Sequence, residues 1–524
     1  MLLVSYFFLG LVVLWLQVFL GWFGVFNLVG YGLGDFCFLF CVDEVSVCCI
    51  YMLFCCGSIA LLYCYHYFGE DSSEGYKLFP LIVWFLGVMG ILVFSGSLIF
   101  SLVFWEYLGL VSFLLILFYS NSSSLRASLI TLFASRFGDV SLFMLVLWLC
   151  WWGDISSSLF GVLFLLVVLT KSACYPFVSW LLEAMRAPTP VSSLVHSSTL
   201  VAAGVWFLFR YDSLLSGGSC WVMVWICLVT VVLTALSAIF FMDLKKIVAL
   251  STCNNVAWCV LFFVSGDVYL ALLQLVTHGV CKCYLFMSVG DLMCQSGGSQ
   301  SSVGVFLSSY SGLYLPFVQC LLVLCLCGIP FIGVFFSKHC LFSGILYGCS
   351  GGLLFVYLFA LFLSYVYSVR FSLLLLCVGG GLGFGFSSFF VVICPLVVLG
   401  SFLNGVWSVA LLELTSLSMF WSSLILFIQV FGVVCGGAVY WYSMGKGCWS
   451  SLLWGCEGYV LYMYHVFSFV TFVCLVSFYR WEVYLCGVWS MLGPLFAYNR
   501  GSFFSLNFFV AGLLFFFFFF LVLF

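Results

Sequence analysis

Apolar runs long enough to cross a bilayer recur along nearly the whole chain, and this repetition restricts the fold more than any other feature. A helix rises ~1.5 Å per residue and the hydrocarbon core is ~30 Å thick, so about 20 apolar residues make one crossing. Such runs lie at 2–26, 44–66, 78–98, 99–119, 125–150, 158–182, 190–210, 219–241, 244–264, 268–290, 314–349, 352–377, 388–407, 420–442, 458–479 and 503–524. They predict about 15 to 16 transmembrane helices. The connections are short and rich in Gly, Ser and Asn, as in Ser120–Ser124 and Gln295–Ser302, and none is large enough for a soluble domain. The expected fold class is an all-α polytopic membrane protein. The first run, Leu2 to Phe26, has neither a basic leader nor a small-residue cleavage site, and reads as a retained helix.

Composition narrows the chemistry. Charged residues are 6% of the chain, against about 25% in soluble domains. A net charge of −3 gives no footing for nucleic acid. Of the 28 cysteines most lie inside apolar runs, for example Cys48, Cys49, Cys55, Cys56, Cys325 and Cys327, where Cys packs as a small hydrophobe. None are spaced C-x-x-C and no four of them have iron–sulfur or zinc spacing. The run GGGLGFG at Gly379–Gly385 lacks the Lys-Ser/Thr of a phosphate loop. The abundance of Phe, Cys, Gly, Val and Leu favours T- and G-rich codons, as in an organellar genome.

The few charges that interrupt the apolar runs are the candidates for function, because an ionisable group at mid-membrane is costly. Lys171 sits near the middle of the run from Leu159 to Leu182, close to the bilayer midplane if that run is a helix. Pro176, five residues on, is expected to break or kink it. A broken helix beside an ionisable group opens a polar site in lipid. His196 adds a titratable group in the next run. Glu106, in SLVFWEYLGL, must be protonated or paired, and Lys171 is an available partner. Asp139 follows Arg136 by three residues, a helical ion-pair spacing that competes with a role for Asp139 in the interior. Asp43 and Glu44 read as helix N-terminal carboxylates. Asp243, Lys245 and Lys246 read as an interfacial cluster.

Gln274, His278 and Lys282 are spaced i, i+4, i+8, one polar stripe on an apolar helix, which suits proton relay. Farther on, Gly328 and Pro330 interrupt another run, and Lys338 and His339 follow the break. Two broken, lysine-bearing segments in two halves of a chain point to an inverted-repeat transporter fold.

These residues together resemble a known family. KSACYPFVSWLLEAMRAPTPVSSLVHSSTLVAAGV is similar to the signature of the antiporter-like membrane chains of mitochondrial NADH–ubiquinone oxidoreductase, respiratory complex I. WEYLGLVSFLLILF, RFGD, DLKKIVALST, LVTHGVCK and GIPFIGVFFSK follow in that family's order over roughly 35–375, and RFGD favours chain 5 over the related chains 2 and 4. The resemblance implies N-terminal helices in 1–77, inverted five-helix repeats at 78–210 and 219–377, and C-terminal helices with a short lateral helix in 388–524. It implies roles too. Glu106 would tune the basicity of Lys171; His196, Lys245, His278 and Lys282 would form a central hydrophilic axis; Lys338 would exchange protons with the outer side. Asp139 belongs to the matching RFGD motif. Gln274 stands where the family's helix often has a histidine, and His339 replaces an acidic residue. The implied setting is the mitochondrial inner membrane, beside other membrane-arm subunits, especially chain 4, and membrane lipids. No cofactor is expected on this chain, with NADH, FMN, iron–sulfur clusters and ubiquinone held by other subunits.

The implied mechanism is electrostatic. Moving a Glu106–Lys171 pair together or apart would change how tightly the amine holds its proton. At 4 Å and an effective dielectric of ~20 such a pair is worth roughly 4 kcal/mol, against ~2.3 kcal/mol per charge per 100 mV of membrane potential. Two other readings compete: a subunit of a multi-protein sodium/proton antiporter, and a structural membrane subunit with vestigial ion pairs.

Overall fold

A computed structural model describes residues 24–29, 38–68, 73–151, 158–296, 298, 300–302, 314–328, 334–348, 351–376, 419–443 and 456–497. Among them eleven helices are long and apolar enough to cross a membrane; ten coincide with predicted runs, and the last, Ser468–Met491, only partly overlaps the run at 458–479. Two further runs, at 158–182 and 314–349, form shorter helices on either side of a break. The runs at 388–407 and 503–524, Pro330 and the Gly379–Gly385 loop lie outside the described residues, as does most of the run at 2–26.

The last residues of that first run depart from expectation. Gly24–Val29 (β1) is a strand paired antiparallel with Phe38–Val42 (β2), with Phe26 opposite Phe40. Aromatic and β-branched residues flank Gly30, Gly32 and Gly34 here, a hairpin pattern that a hydropathy window misses. The rest of the described chain is helical: α1 Glu44–Phe68, α2 Ser73–Phe94, α3 Leu98–Ile116, α4 Ser122–Trp151, α5 Ser158–Lys171, α6 Ser179–Ala184 and α7 Thr189–Arg210. Then follow α8 Gly217–Phe240, α9 Leu244–Val264, α10 Val268–Gln295, α11 Tyr314–Cys327, α12 Phe335–Gly348, α13 Gly351–Leu376 and α14 Met419–Ser443. A separate unit holds most of α15, Cys456–Ala497, a single helix of 42 residues and so ~63 Å long, where a run of ordinary length was expected.

Exposure sorts these helices. Every residue of the apolar window of α7 is buried, and α9 and α10 are nearly so. These three central helices carry His196, Lys245, His278 and Lys282. Helices α4 and α14 instead turn much of their apolar surface outward, as lipid-facing helices do. In the centre, α8 packs along α9, α9 along α10, and α10 against α1.

Buried polar side chains fix the ends of these helices. Arg370 of α13 donates to the carbonyls of Ala238 (3.1 Å) and Phe241 (3.0 Å). The guanidinium satisfies carbonyls left over at the C-terminus of α8, where the dipole also favours a cation. It thereby holds the short turn that starts α9 and carries Lys245. At the opposite end of the core, Asp43 precedes α1, where its backbone N–H donates to Ser46 Oγ (2.8 Å) and its carboxylate pairs with Arg210 of α7.

Candidate functional site

Helix α5 ends on Lys171, and α6 begins only at Ser179. The break uses local hydrogen bonds. Ser172 Oγ donates to the Val168 carbonyl (2.7 Å), and Trp180 Nε1 donates to the Thr170 carbonyl (2.9 Å). Such bonds satisfy carbonyls that the interrupted helix leaves open. Lys171 is 1% exposed and its Nζ lies 5.2 Å from the centre of the Trp105 ring. The nearest carboxylate is Asp139, also buried, with Oδ1 3.9 Å from Nζ. Gly138 makes this approach possible: a Cβ there would stand 2.2 Å from Thr170 Oγ1, so any side chain would push α4 away from α5. A cavity about the size of one water adjoins the amine, lined by Ser112, Thr131, Ser135, Thr170 and Trp180.

The pairing expected between Glu106 and Lys171 is replaced by a relay of charges. Glu106 pairs with Arg136, whose Nη1 is also 3.4 Å from Asp139 Oδ2. Arg136 lies one helical turn from Asp139, and it reaches Glu106 before Lys171 does. The sequence spacing showed the Arg136–Asp139 contact. It could not show that Asp139 would serve the lysine as well.

His196 sits in a π-helical turn, Val195–Thr199, within α7. Three successive hydroxyls explain the local geometry. Ser197 donates to the Ser193 carbonyl, and Thr199 Oγ1 donates to that of Leu194 (2.9 Å). Side-chain bonds of this kind compete with the backbone ladder and open the helix, and π turns concentrate at functional sites. The imidazole is fully buried against Trp180 (6.1 Å between ring centres), and neither nitrogen has a hydrogen-bond partner among the described residues.

Lys245 is buried, contrary to the interfacial reading, and its Nζ donates to the Ala187 carbonyl (2.6 Å) on the loop before α7. Lys246 next to it is partly exposed and pairs with Asp243 at 3.7 Å, as an interfacial residue should. Lys282 of α10 donates to Ser251 of α9. His278 and Gln274 follow on the same stripe, and both are fully buried. Gln274 Oε1 accepts from Ser337 Oγ (3.1 Å), the residue before Lys338. The stripe on α10 therefore runs from a hydroxyl of α9 to the second break.

At that break α11 ends at Cys327, and Gly328 takes φ +94°, a conformation favouring glycine. Lys338 stands in the first turn of α12 and donates to the Cys327 carbonyl (2.8 Å). Its Nζ lies 5.7 Å from the centre of the Trp258 ring. Tyr365 Oη donates to the Gly328 carbonyl (2.6 Å). Sequence reasoning missed the two tryptophans, Trp105 of α3 and Trp258 of α9.

Fold and site together define a polytopic membrane protein with two lysine-bearing helix breaks and further buried ionisable side chains in the helices between them. Residues 95–364 match the family described as NADH:quinone oxidoreductase/Mrp antiporter, TM, and the chain belongs to that family. NADH-ubiquinone oxidoreductase chain 5 of Anopheles arabiensis is 35% identical over 318 residues, covering 57% of this chain and 81% of that protein. Chain 5 of Locusta migratoria is 34% identical over 349 residues, covering 63% and 60%. That of Caenorhabditis elegans is 33% identical over 336 residues, covering 61% and 64%. The chain thus spans less than two thirds of the Locusta and Caenorhabditis proteins. Among solved structures, a chain of the Mrp complex from a Dietzia species superposes with a TM-score of 0.71 at 21% identity, covering 94% of this chain and 60% of that one. A chain of an archaeal membrane-bound sulfane sulfur reductase gives 0.65 at 16% identity, covering 84% and 93%. These likenesses show the fold, and both come from membrane complexes.

Proposed function

We propose that this chain is a proton-translocating membrane-arm subunit of an NADH:ubiquinone oxidoreductase, in the mitochondrial inner membrane. The single observation that carries the proposal is the burial of Lys171, His196, Lys245, His278, Lys282 and Lys338 together, in a chain whose named relatives are chain 5 of that enzyme. Desolvating so many ionisable groups is costly, and stability alone does not require it. The five helices of 78–210 and the five of 219–377 form two repeats of inverted topology, each with a break in its fourth helix. Lys171 takes and gives a proton under the control of Asp139, with Glu106 acting through Arg136. His196, Lys245, His278 and Lys282 carry the proton laterally, and Lys338 exchanges it with the opposite face. NADH, FMN, iron–sulfur clusters and ubiquinone belong to other subunits. Chain 4 is the proposed neighbour, and α15 is the lateral helix.

The test is proton pumping by the assembled enzyme in liposomes with Lys171→Ala in this chain. The expected result is fewer protons per NADH oxidised in fully assembled complex. Full stoichiometry in that variant would sink the proposal.

A further inference from the structure

Helix α1 ends near a pair that the path above does not use. His66 Nε2 lies 3.1 Å from Asp291 Oδ1 of α10. The imidazole is 41% exposed, whereas the carboxylate is 8% exposed, and Asp291 Oδ2 has no hydrogen bond among the described residues. Beside the pair is a cavity of about 110 Å³, room for several waters. Its rim is exposed at Tyr119, Arg186 and Gln300, and it reaches inward to buried Lys245. Tyr67 and Gly290, the chain neighbours of His66 and Asp291, both line it. Tyr63 closes the gap between pair and cavity: its hydroxyl packs so tightly on Gly290 that a Cβ there would stand 2.8 Å away. The titratable or charged groups around the pair are thus Tyr63 and Tyr67 of α1, Cys294 of α10, Lys245 of α9, Tyr119 beyond α3 and Arg186 beyond α6.

We infer that His66 and Asp291 form the proton-collecting pair for the cavity that supplies Lys245. This rests on the proposed function, in which Lys245 carries protons. A proton arriving from bulk water is held between imidazole and carboxylate, moves to cavity water, and passes to Lys245 when its amine is neutral. Only a proton is transferred, and the pair is restored by the next one from solvent. The chemistry of the two groups suits this. Histidine gains and loses a proton near neutral pH, and its exposed side meets water. The carboxylate is buried near the cavity, at a desolvation cost that a simple helix–helix tie does not need.

The rival role is a staple between α1 and α10, and the two roles separate by substitution. His66→Gln keeps a donor able to reach Asp291, and Asp291→Asn keeps an acceptor for His66, but neither variant keeps a titratable group on both sides of the hydrogen bond. In assembled enzyme in liposomes, each variant is expected to slow initial proton uptake about tenfold. That is below the ~10²–10⁴ contributed by a positioned proton-transfer group, because water still reaches the cavity. Added imidazole, a diffusible proton carrier, should restore most of the rate, and Asp291→Glu should stay close to the unaltered enzyme. An unchanged rate in either variant, or a loss that imidazole does not restore, overturns the inference and leaves the staple. Lys171→Ala in the same preparation separates the two claims. If it pumps normally, the proposed function falls and takes this inference with it; if it does not, a negative result at His66 counts against this inference alone.

Discussion

The two breaks place a lysine over a tryptophan in the same way and neutralise it differently. Lys171 ends the helix before its break and faces Asp139 across 3.9 Å, with Arg136 and Glu106 behind. Lys338 follows its break and faces the Cys327 carbonyl at 2.8 Å, at the C-terminus of α11. A carboxylate carries a full charge and can gain a proton or move. A helix terminus carries about half a charge, and it is fixed in the backbone. The position after Trp105 is Glu106, whereas after Trp258 it is Cys259. Under the proposed function, the first site is therefore the one that neighbouring charges switch. Among the described residues, the second holds its lysine by a backbone carbonyl and the Trp258 ring, with no carboxylate paired to it, so under the proposed function it is switched by whatever reaches it through the α10 stripe or from solvent.

Removing the switchable charge should give the largest effect. With Asp139→Asn, Lys171 loses a carboxylate that at about 4 Å is worth up to ~4 kcal/mol at an effective dielectric of ~20. Proton pumping by reconstituted enzyme should fall more than tenfold, each ~1.4 kcal/mol being a factor of ten. Glu106→Gln should cost only a few-fold, because Glu106 pairs with Arg136, which in turn meets Asp139 rather than Lys171. If Glu106→Gln proves the more damaging, the assignment of Asp139 as the direct partner is wrong. The comparison of the two breaks would then have to be drawn through Glu106 instead.

An intermediate effect is expected where the second site meets the stripe. Gln274→Leu removes the acceptor of Ser337 Oγ, and so the side-chain link between α10 and the residue before Lys338. A buried hydrogen bond of this kind is worth about 1 kcal/mol net, so pumping should drop several-fold with assembly intact. Gln274→His keeps a hydrogen-bonding group there and should retain the rate. Equal rates for the Leu and His variants would mean that Lys338 is loaded by another route.

Much of this was legible in the sequence. Apolar run length gave every described spanning helix up to Ser443, because run length is a local property. The i, i+4, i+8 spacing placed Gln274, His278 and Lys282 on one stripe, and all three are buried. Partners across helices were not legible. Nothing local says that Gly138 lets α4 close on α5 and so presents Asp139 rather than Glu106 to Lys171. Nor did the run HSST announce a π turn, since the outcome depends on where three hydroxyls find acceptors. The Gly24–Val29 strand was hidden because hydropathy measures apolarity without distinguishing a strand from a helix.

The smallest effect concerns two adjacent lysines that composition cannot tell apart. Lys245 is buried and donates to the Ala187 carbonyl at 2.6 Å. Lys246 has a side chain 29% exposed and pairs with Asp243, 36% exposed, at 3.7 Å. A partly exposed pair of this type contributes about 0–1 kcal/mol, and salt screens it further. Lys246→Ala should therefore change neither pumping nor assembly measurably, whereas Lys245→Ala should reduce pumping strongly. A pumping loss in Lys246→Ala, assembly intact, would mean that charge at the aqueous face matters as much as charge in the core. That would undercut the contrast between the two breaks, which assumes that only groups shielded from water discriminate between them.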